Sequence, residues 1–186
     1  MIFKGYLLLV LWAAFCLPVC AQGGKNPSQT RPDLSGTWER NPAKSKSRGG
    51  TLGSSSVTLT ISHKEPELRI SSKTSFKGKE TNLESIYFTD GRGEKSKSRF
   101  QSLISLGLPG QIEGLQRSDS ETKSKTKWEG NKLVTRSSII FLVQGNRIDL
   151  DLTEARELSP DGKTLTIATS FRSGRPTINE VFDRIQ

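Results

Sequence analysis

The sequence predicts an all-β fold: an antiparallel up-and-down meander of roughly nine to ten short strands closing into a barrel. Three observations predict it. From Val57 onward apolar and polar residues alternate with a period of two. Pairs and clusters of Pro, Gly, Asn and Asp punctuate the chain at short intervals, as in sandwiches and barrels. No long amphipathic helical pattern competes, and the one apolar stretch without alternation, 102–118, carries Gly107, Gly110 and Gly114. Each glycine costs a helix about 1 kcal/mol, so that stretch reads as a long apolar loop.

The elements follow in order. Lys4, the apolar run Tyr6 to Leu17 and Val19-Cys20-Ala21 read as an export signal over 1–21, too short to span a bilayer. Cleavage after Ala21 places the protein in a periplasmic or extracellular space, and no transmembrane span is expected in the mature chain. The alternative reading makes Cys20 the lipidated first residue of a membrane-anchored protein. Residues 22–32 read as a flexible leader, and 33–186 as a single barrel domain.

Leu34-Ser35-Gly36-Thr37-Trp38 opens the first strand, and Asn41-Pro42-Ala43-Lys44-Ser45 breaks it. Val57, Leu59 and Ile61 share one face of the next strand. After the turn Lys64-Glu65-Pro66-Glu67, the residues Leu68, Ile70, Ser72, Thr74 and Phe76 line one face of its return. A strand near Leu83 to Thr89 ends at Asp90-Gly91. Glu129-Gly130-Asn131 joins 122–128 to 132–143 as a hairpin, and Gln144-Gly145-Asn146 turns into Ile148, Leu150 and Leu152. Ser159-Pro160-Asp161-Gly162 leads into Leu165, Ile167, Thr169 and Phe171. The last strand lies near Thr177 to Ile185.

Composition narrows the chemistry. Both cysteines, Cys16 and Cys20, lie in the signal, so the mature chain has no disulfide framework. His63 is the single histidine, which leaves too few ligands for the common zinc sites and one candidate base for a nucleophilic triad. It reads as a surface or rim residue at the end of its strand. Asp149 and Asp151 share the face opposite Ile148 and Leu150, where nothing sequesters them for acid–base work. These observations point to a protein without cofactor or metal and without enzymatic activity. The formal net charge of +9 draws the chain toward anionic surfaces, or else describes a soluble lysine-rich face. No motif for specific nucleic-acid binding accompanies it.

Two stretches are candidates for binding. On 122–128 the lysines 123, 125 and 127 share one face, and Thr122, Ser124, Thr126 and Trp128 the other. If the lysines face water, the inner face is lined by hydroxyls and ends in an indole, suited to a partly polar ligand. The competing reading is an edge strand whose lysines deter pairing. The apolar loop 102–118 reads as a plug over one end of the barrel, as a binding mouth, or as both. Together they suggest a cavity near Trp128, Thr126, Phe76 and Leu106 for a small hydrophobic or amphipathic ligand. The alternative is an interaction protein whose basic face meets an anionic envelope component or a protein partner.

Gly36-Thr37-Trp38 in the first strand, the meander after it and Arg184 in Phe182-Asp183-Arg184-Ile185 resemble the calycin group of lipocalins and fatty-acid-binding-like barrels. The longer phrases Asp33 to Trp38, Asn41 to Ser45 and Ser159 to Leu165 are similar to a set of uncharacterised bacterial exported proteins with lipocalin-like domains. The resemblance implies a lipocalin-like barrel in which Gly36 and Trp38 close one end. It also implies that Arg184 lies against the indole of Trp38, with Arg172 as the other candidate.

Overall fold

The computed structural model describes residues 31–46, 55–76, 78–96, 121–143, 146–172 and 178–186. The export signal, most of the leader, Leu106 and the apolar loop 102–118 lie outside the described residues.

Ten strands follow one another: β1 (Gly36–Arg40), β2 (Ser56–Lys64), β3 (Glu67–Phe76), β4 (Lys79–Phe88), β5 (Glu94–Ser96), β6 (Glu121–Glu129), β7 (Lys132–Val143), β8 (Asn146–Leu158), β9 (Thr164–Phe171) and β10 (Ile178–Arg184). Among the described residues there is no helix. All ten belong to one antiparallel sheet in the order β4-β3-β2-β1-β10-β9-β8-β7-β6-β5, a meander whose first and last strands pair with each other. An isolated bridge between Asp90 and Lys127 ties the end of β4 to β6, so the sheet curls into a nearly closed barrel with a seam between β4 and β5.

Turn chemistry sets the register. Gly130 and Asn131 form a two-residue hairpin loop, and Gly130 has φ 60°, which the turn requires. The opposed pair Glu129–Lys132 then puts Thr126 across from Thr135 and Ser124 across from Ser137. A one-residue slip would send these hydroxyls outward and the lysines inward.

Alternation places one face of every strand inside. At one end the interior is a dry core of Leu34, Trp38, Ile61, Leu68, Leu133, Leu165 and Phe182. Trp38 is fully buried, and its indole N–H donates to the Leu34 carbonyl at 3.1 Å. Ile139, Leu150, Leu152, Phe171 and Ile178 are buried further along β7–β10, toward the opposite end. On β3 and β4 the inward residues beyond Ile70, namely Ser72 and Thr74 and their partners Leu83 and Thr81, are only half-buried.

The structure corrects two expectations about strands. β6 is not the sheet's terminal strand, since β7 pairs along its whole length and β5 covers Thr122 to Ser124. Lys123 therefore guards no free edge, while Lys125 to Glu129 border the seam to β4, bridged at Asp90–Lys127. The short β5, absent from the reading of the sequence, is the sheet's final strand instead.

Candidate functional site

The closed end is held by Trp38, Arg184 and Gly36. The Arg184 guanidinium lies over the Trp38 ring, 4.2 Å from its centroid. It also donates to the carbonyls of Gly162 and Ser35, both at 2.8 Å. Gly36 has φ 142°, and a Cβ there would sit 2.7 Å from Arg184 Nη1 and 2.9 Å from the Gln186 carbonyl oxygen. Arg172, the other candidate for the indole, instead pairs with Asp151 on the barrel's outer face at 3.4 Å.

His63 is not a rim residue: its side chain is 4 % exposed. Its Nδ1 accepts the Leu34 N–H at 3.3 Å, which leaves Nε2 to donate to Glu65 Oε1, also at 3.3 Å. Burial follows from the chain folding back over it, with Leu34 and Ser35 bonded to His63 itself. Glu65 gathers this corner, accepting from Trp128 Nε1 at 2.6 Å and from the Thr89 hydroxyl. Burial pushes its carboxyl up, but these two hydrogen bonds and the charge of Arg31 outweigh it and hold Glu65 below its ordinary value.

Trp128 therefore belongs to the closed end. It packs against the dry core, its ring centroid 5.9 Å from that of His63. Thr126 faces inward and is fully buried, one step further into the barrel. Thr126 and Trp128 are thus consecutive on the inner face of β6, the indole at the closed end and the hydroxyl above it. Phe76 lies at the end of β3, far along the strand from the core residue Leu68, and its side chain is outside the described set, as is all of Leu106.

One step above the dry core, the inner wall turns polar. On β1 the residue after Trp38 on the inner face is Arg40; on β10 the residue before Phe182 is Glu180; on β8 Glu154 and Arg156 precede Leu158. Arg40 bonds Glu180 at 3.3 Å and the Ser55 hydroxyl at 2.9 Å. Arg156 donates to Thr135 Oγ1 at 2.8 Å and to Glu154 at 3.2 Å, with its guanidinium 5.0 Å from the centroid of Tyr87. Thr135 joins Thr126 at 2.9 Å, and Glu94 Oε1 accepts the hydroxyls of Ser124 at 3.1 Å and Thr126 at 3.3 Å. A hydrogen-bonded ladder thus crosses the interior from β8 to β5.

Burial dominates the acids of this belt. It pushes the Glu180 carboxyl up against the opposing pull of Arg40. It pushes Glu94 up as well, against the bonds from Ser124 and Thr126 and the charge of Arg156. Three buried polar atoms of the same wall have no partner among the described residues: Glu94 Oε2, Thr122 Oγ1 and Arg156 Nε. Leaving a buried polar group unsatisfied costs about 1–3 kcal/mol. These three are a donor, an acceptor and a hydroxyl that can be either.

None of the belt's charged residues was a candidate in the sequence. The signal lay in strand parity: Arg40 shares a face with Trp38, Arg156 with Leu152, and Glu180 with Phe182. Among the described residues no group of three His, Cys, Asp or Glu side chains is placed to hold a metal ion. No described helix is long and apolar enough to cross a membrane.

No family model and no curated protein matches the chain. Solved structures do. Secretory abundant heat soluble protein 4 from Ramazzottius varieornatus aligns over 86 % of this chain and 100 % of its own, at 13 % identity and a TM-score of 0.54. A further secretory abundant heat soluble protein from that organism aligns over 84 % and 99 %, at 11 % identity and a TM-score of 0.51. Human cRBP IV aligns over 82 % and 98 %, at 18 % identity and a TM-score of 0.50. The likeness covers nearly the whole of each relative, and with the ten-stranded meander it establishes a calycin-like barrel for this chain.

Proposed function

We propose that this protein is a non-enzymatic binding module for a small amphipathic ligand, acting outside the cytoplasm. The ligand's polar end meets the belt at Glu94, Thr122 and Arg156. Its apolar part extends toward Ile139, Leu152, Phe171 and Ile178. The observation that carries the reading is the set of three buried polar atoms on one inner wall that have no partner among the described residues. A core under selection for packing alone places apolar groups there, since unsatisfied polar atoms only destabilise it. A ligand with a hydrogen-bonding head gives them partners.

Barrel size supports the same reading. Eight strands already enclose an interior that side chains fill or that holds one small ligand, and diameter grows with strand number. Ten strands lined by Ser72, Thr74, Ser124, Thr126, Thr135 and Ser137 combine a wider interior with small side chains. The nearby carboxyls Glu94, Glu154 and Glu180 outnumber Arg40 and Arg156. That balance favours a hydroxyl, amide or amine head over a carboxylate.

The test is a titration of the full chain with fluorescent probes of matched alkyl length bearing alcohol, amine or carboxylate heads. Saturable binding with one site per chain, strongest for the alcohol and amine, is expected. Absence of saturation with every head overturns the proposal.

A further inference from the structure

We infer a second site on the outside of the barrel, unconnected with the interior: a groove across the outer face of β6–β9 that binds a small, multiply charged phosphate or sulfate compound. The groove has a volume of about 630 Å³. Cross-strand register builds it from two outward rows. Lys123 lies opposite Ser138, which lies opposite Asp151, and Arg172 follows on β9. Lys125 lies opposite Arg136, then Thr153, then Ser170. The rows are two residues apart, about 7 Å, and four strands span about 14 Å. That is room for two or three tetrahedral anions in one compound.

Charge placement selects the ligand. Four cations and one carboxylate line the groove. Arg172 pairs with the carboxylate at 3.4 Å, Arg136 with Glu129 beyond its edge at 2.8 Å, and Lys123 with Glu121 at 3.8 Å. Lys125 has no acidic partner among the described residues. Like charges directly across a sheet destabilise it, yet Lys125 opposes Arg136, and Lys95 opposes Lys123 next to the groove. Edge protection does not account for Arg136, because β7 is an interior strand of the sheet. A bound anion turns each repulsive pair into a clamp, and the hydroxyls of Ser138, Thr153 and Ser170 donate to its oxygens.

Two macromolecular partners fit less well. Among the described residues the exposed large apolar side chains, Ile86 and Ile185, lie away from β6–β9, so the described part of this face offers a bilayer no apolar anchor. The one aromatic residue at the groove, Phe171, is buried, so bases have no platform to stack on.

The experiment is calorimetric titration of the full chain with tripolyphosphate at low and high salt, beside sedimentation with phosphatidylglycerol-containing vesicles. The variants are K125Q/R136Q and the charge-matched K64Q/K73Q on β2 and β3. Expected results are one saturable site, weakening as salt rises, at least a tenfold loss in K125Q/R136Q and less than twofold in K64Q/K73Q. K125Q/R136Q relieves a like-charge pair and gives up the exposed Arg136–Glu129 pair, two small effects of opposite sign, so it should melt close to the wild type. Equal losses in the two variants, no tripolyphosphate binding, or vesicle binding without it overturns the inference.

Discussion

Arg184 joins three parts of the chain at the closed end: the Trp38 ring, the Gly162 carbonyl and the Ser35 carbonyl. The guanidinium–indole contact alone is worth about 0.5–1 kcal/mol at an exposed site. Gly36 is the residue on which this arrangement turns, because its φ of 142° is unfavourable for any side chain and a Cβ would collide with Arg184 and Gln186. Gly36→Ala is expected to lower stability by about 1–3 kcal/mol, measured by urea denaturation. Arg184→Lys should cost less, since it keeps the charge and gives up the two-carbonyl fork. Equal stability of Gly36→Ala and wild type would contradict the crowding seen here.

Glu94 carries a pH dependence of known sign. Burial raises its carboxyl above 4.5 in the folded protein. Between that value and the raised one the folded state holds more protons than the unfolded state, so stability falls as pH rises through this window. Glu94→Gln keeps an oxygen for Ser124 and Thr126 and removes the titration. The variant's advantage in melting temperature over the wild type should therefore grow as pH rises from about 4.5 toward neutrality. A difference independent of pH would mean that Glu94 is as well solvated folded as unfolded.

At the scale of elements, the β2–β3 turn and β6 meet through Glu65 and Trp128, near the end of the seam that the sheet leaves open. Glu65 has the opposite sign to Glu94. Its folded value lies below 4.5, so its contribution is present above that pH and lost as pH falls through the folded value. Trp128→Phe removes one of the bonds that hold the value down. Part of the stability difference from wild type should vanish in acid, as urea midpoints across pH 3–7 would show.

β6 also shows how much of this was legible in the sequence. Its strict alternation separates lysines from hydroxyls but leaves open which face points inward, which the barrel decides. The position of Trp128 was not legible, because alternation gives a face and not a height along the barrel. Trp128 shares the inner face of Thr126 but sits at the closed end, against His63 and Glu65. The charged belt was hidden for another reason. Arg40 and Glu180 lie 140 residues apart, and only the pairing of first and last strands makes them neighbours. Parity places both on the inner face, whereas the ordinary cost of burying a charge argues for water. His63 looked exposed because the segment that covers it, Leu34 and Ser35, comes from before the first strand.

At the scale of the molecule, a dry end, a polar belt and a second apolar tier are stacked inside one calycin-like barrel. The closed end supplies stability, while the belt keeps polar atoms that stability does not explain. These two roles come apart at Thr122, which is fully buried and whose hydroxyl has no partner among the described residues. Thr122→Val preserves shape and removes only that group. The deciding measurement takes melting temperature and amphipathic-probe affinity on the same Thr122→Val sample. The account predicts a melting temperature equal to or above the wild type's together with probe binding at least fivefold weaker. A variant that melts lower and binds the probe as tightly as the wild type would contradict it, since the hydroxyl would then serve the fold and not a ligand.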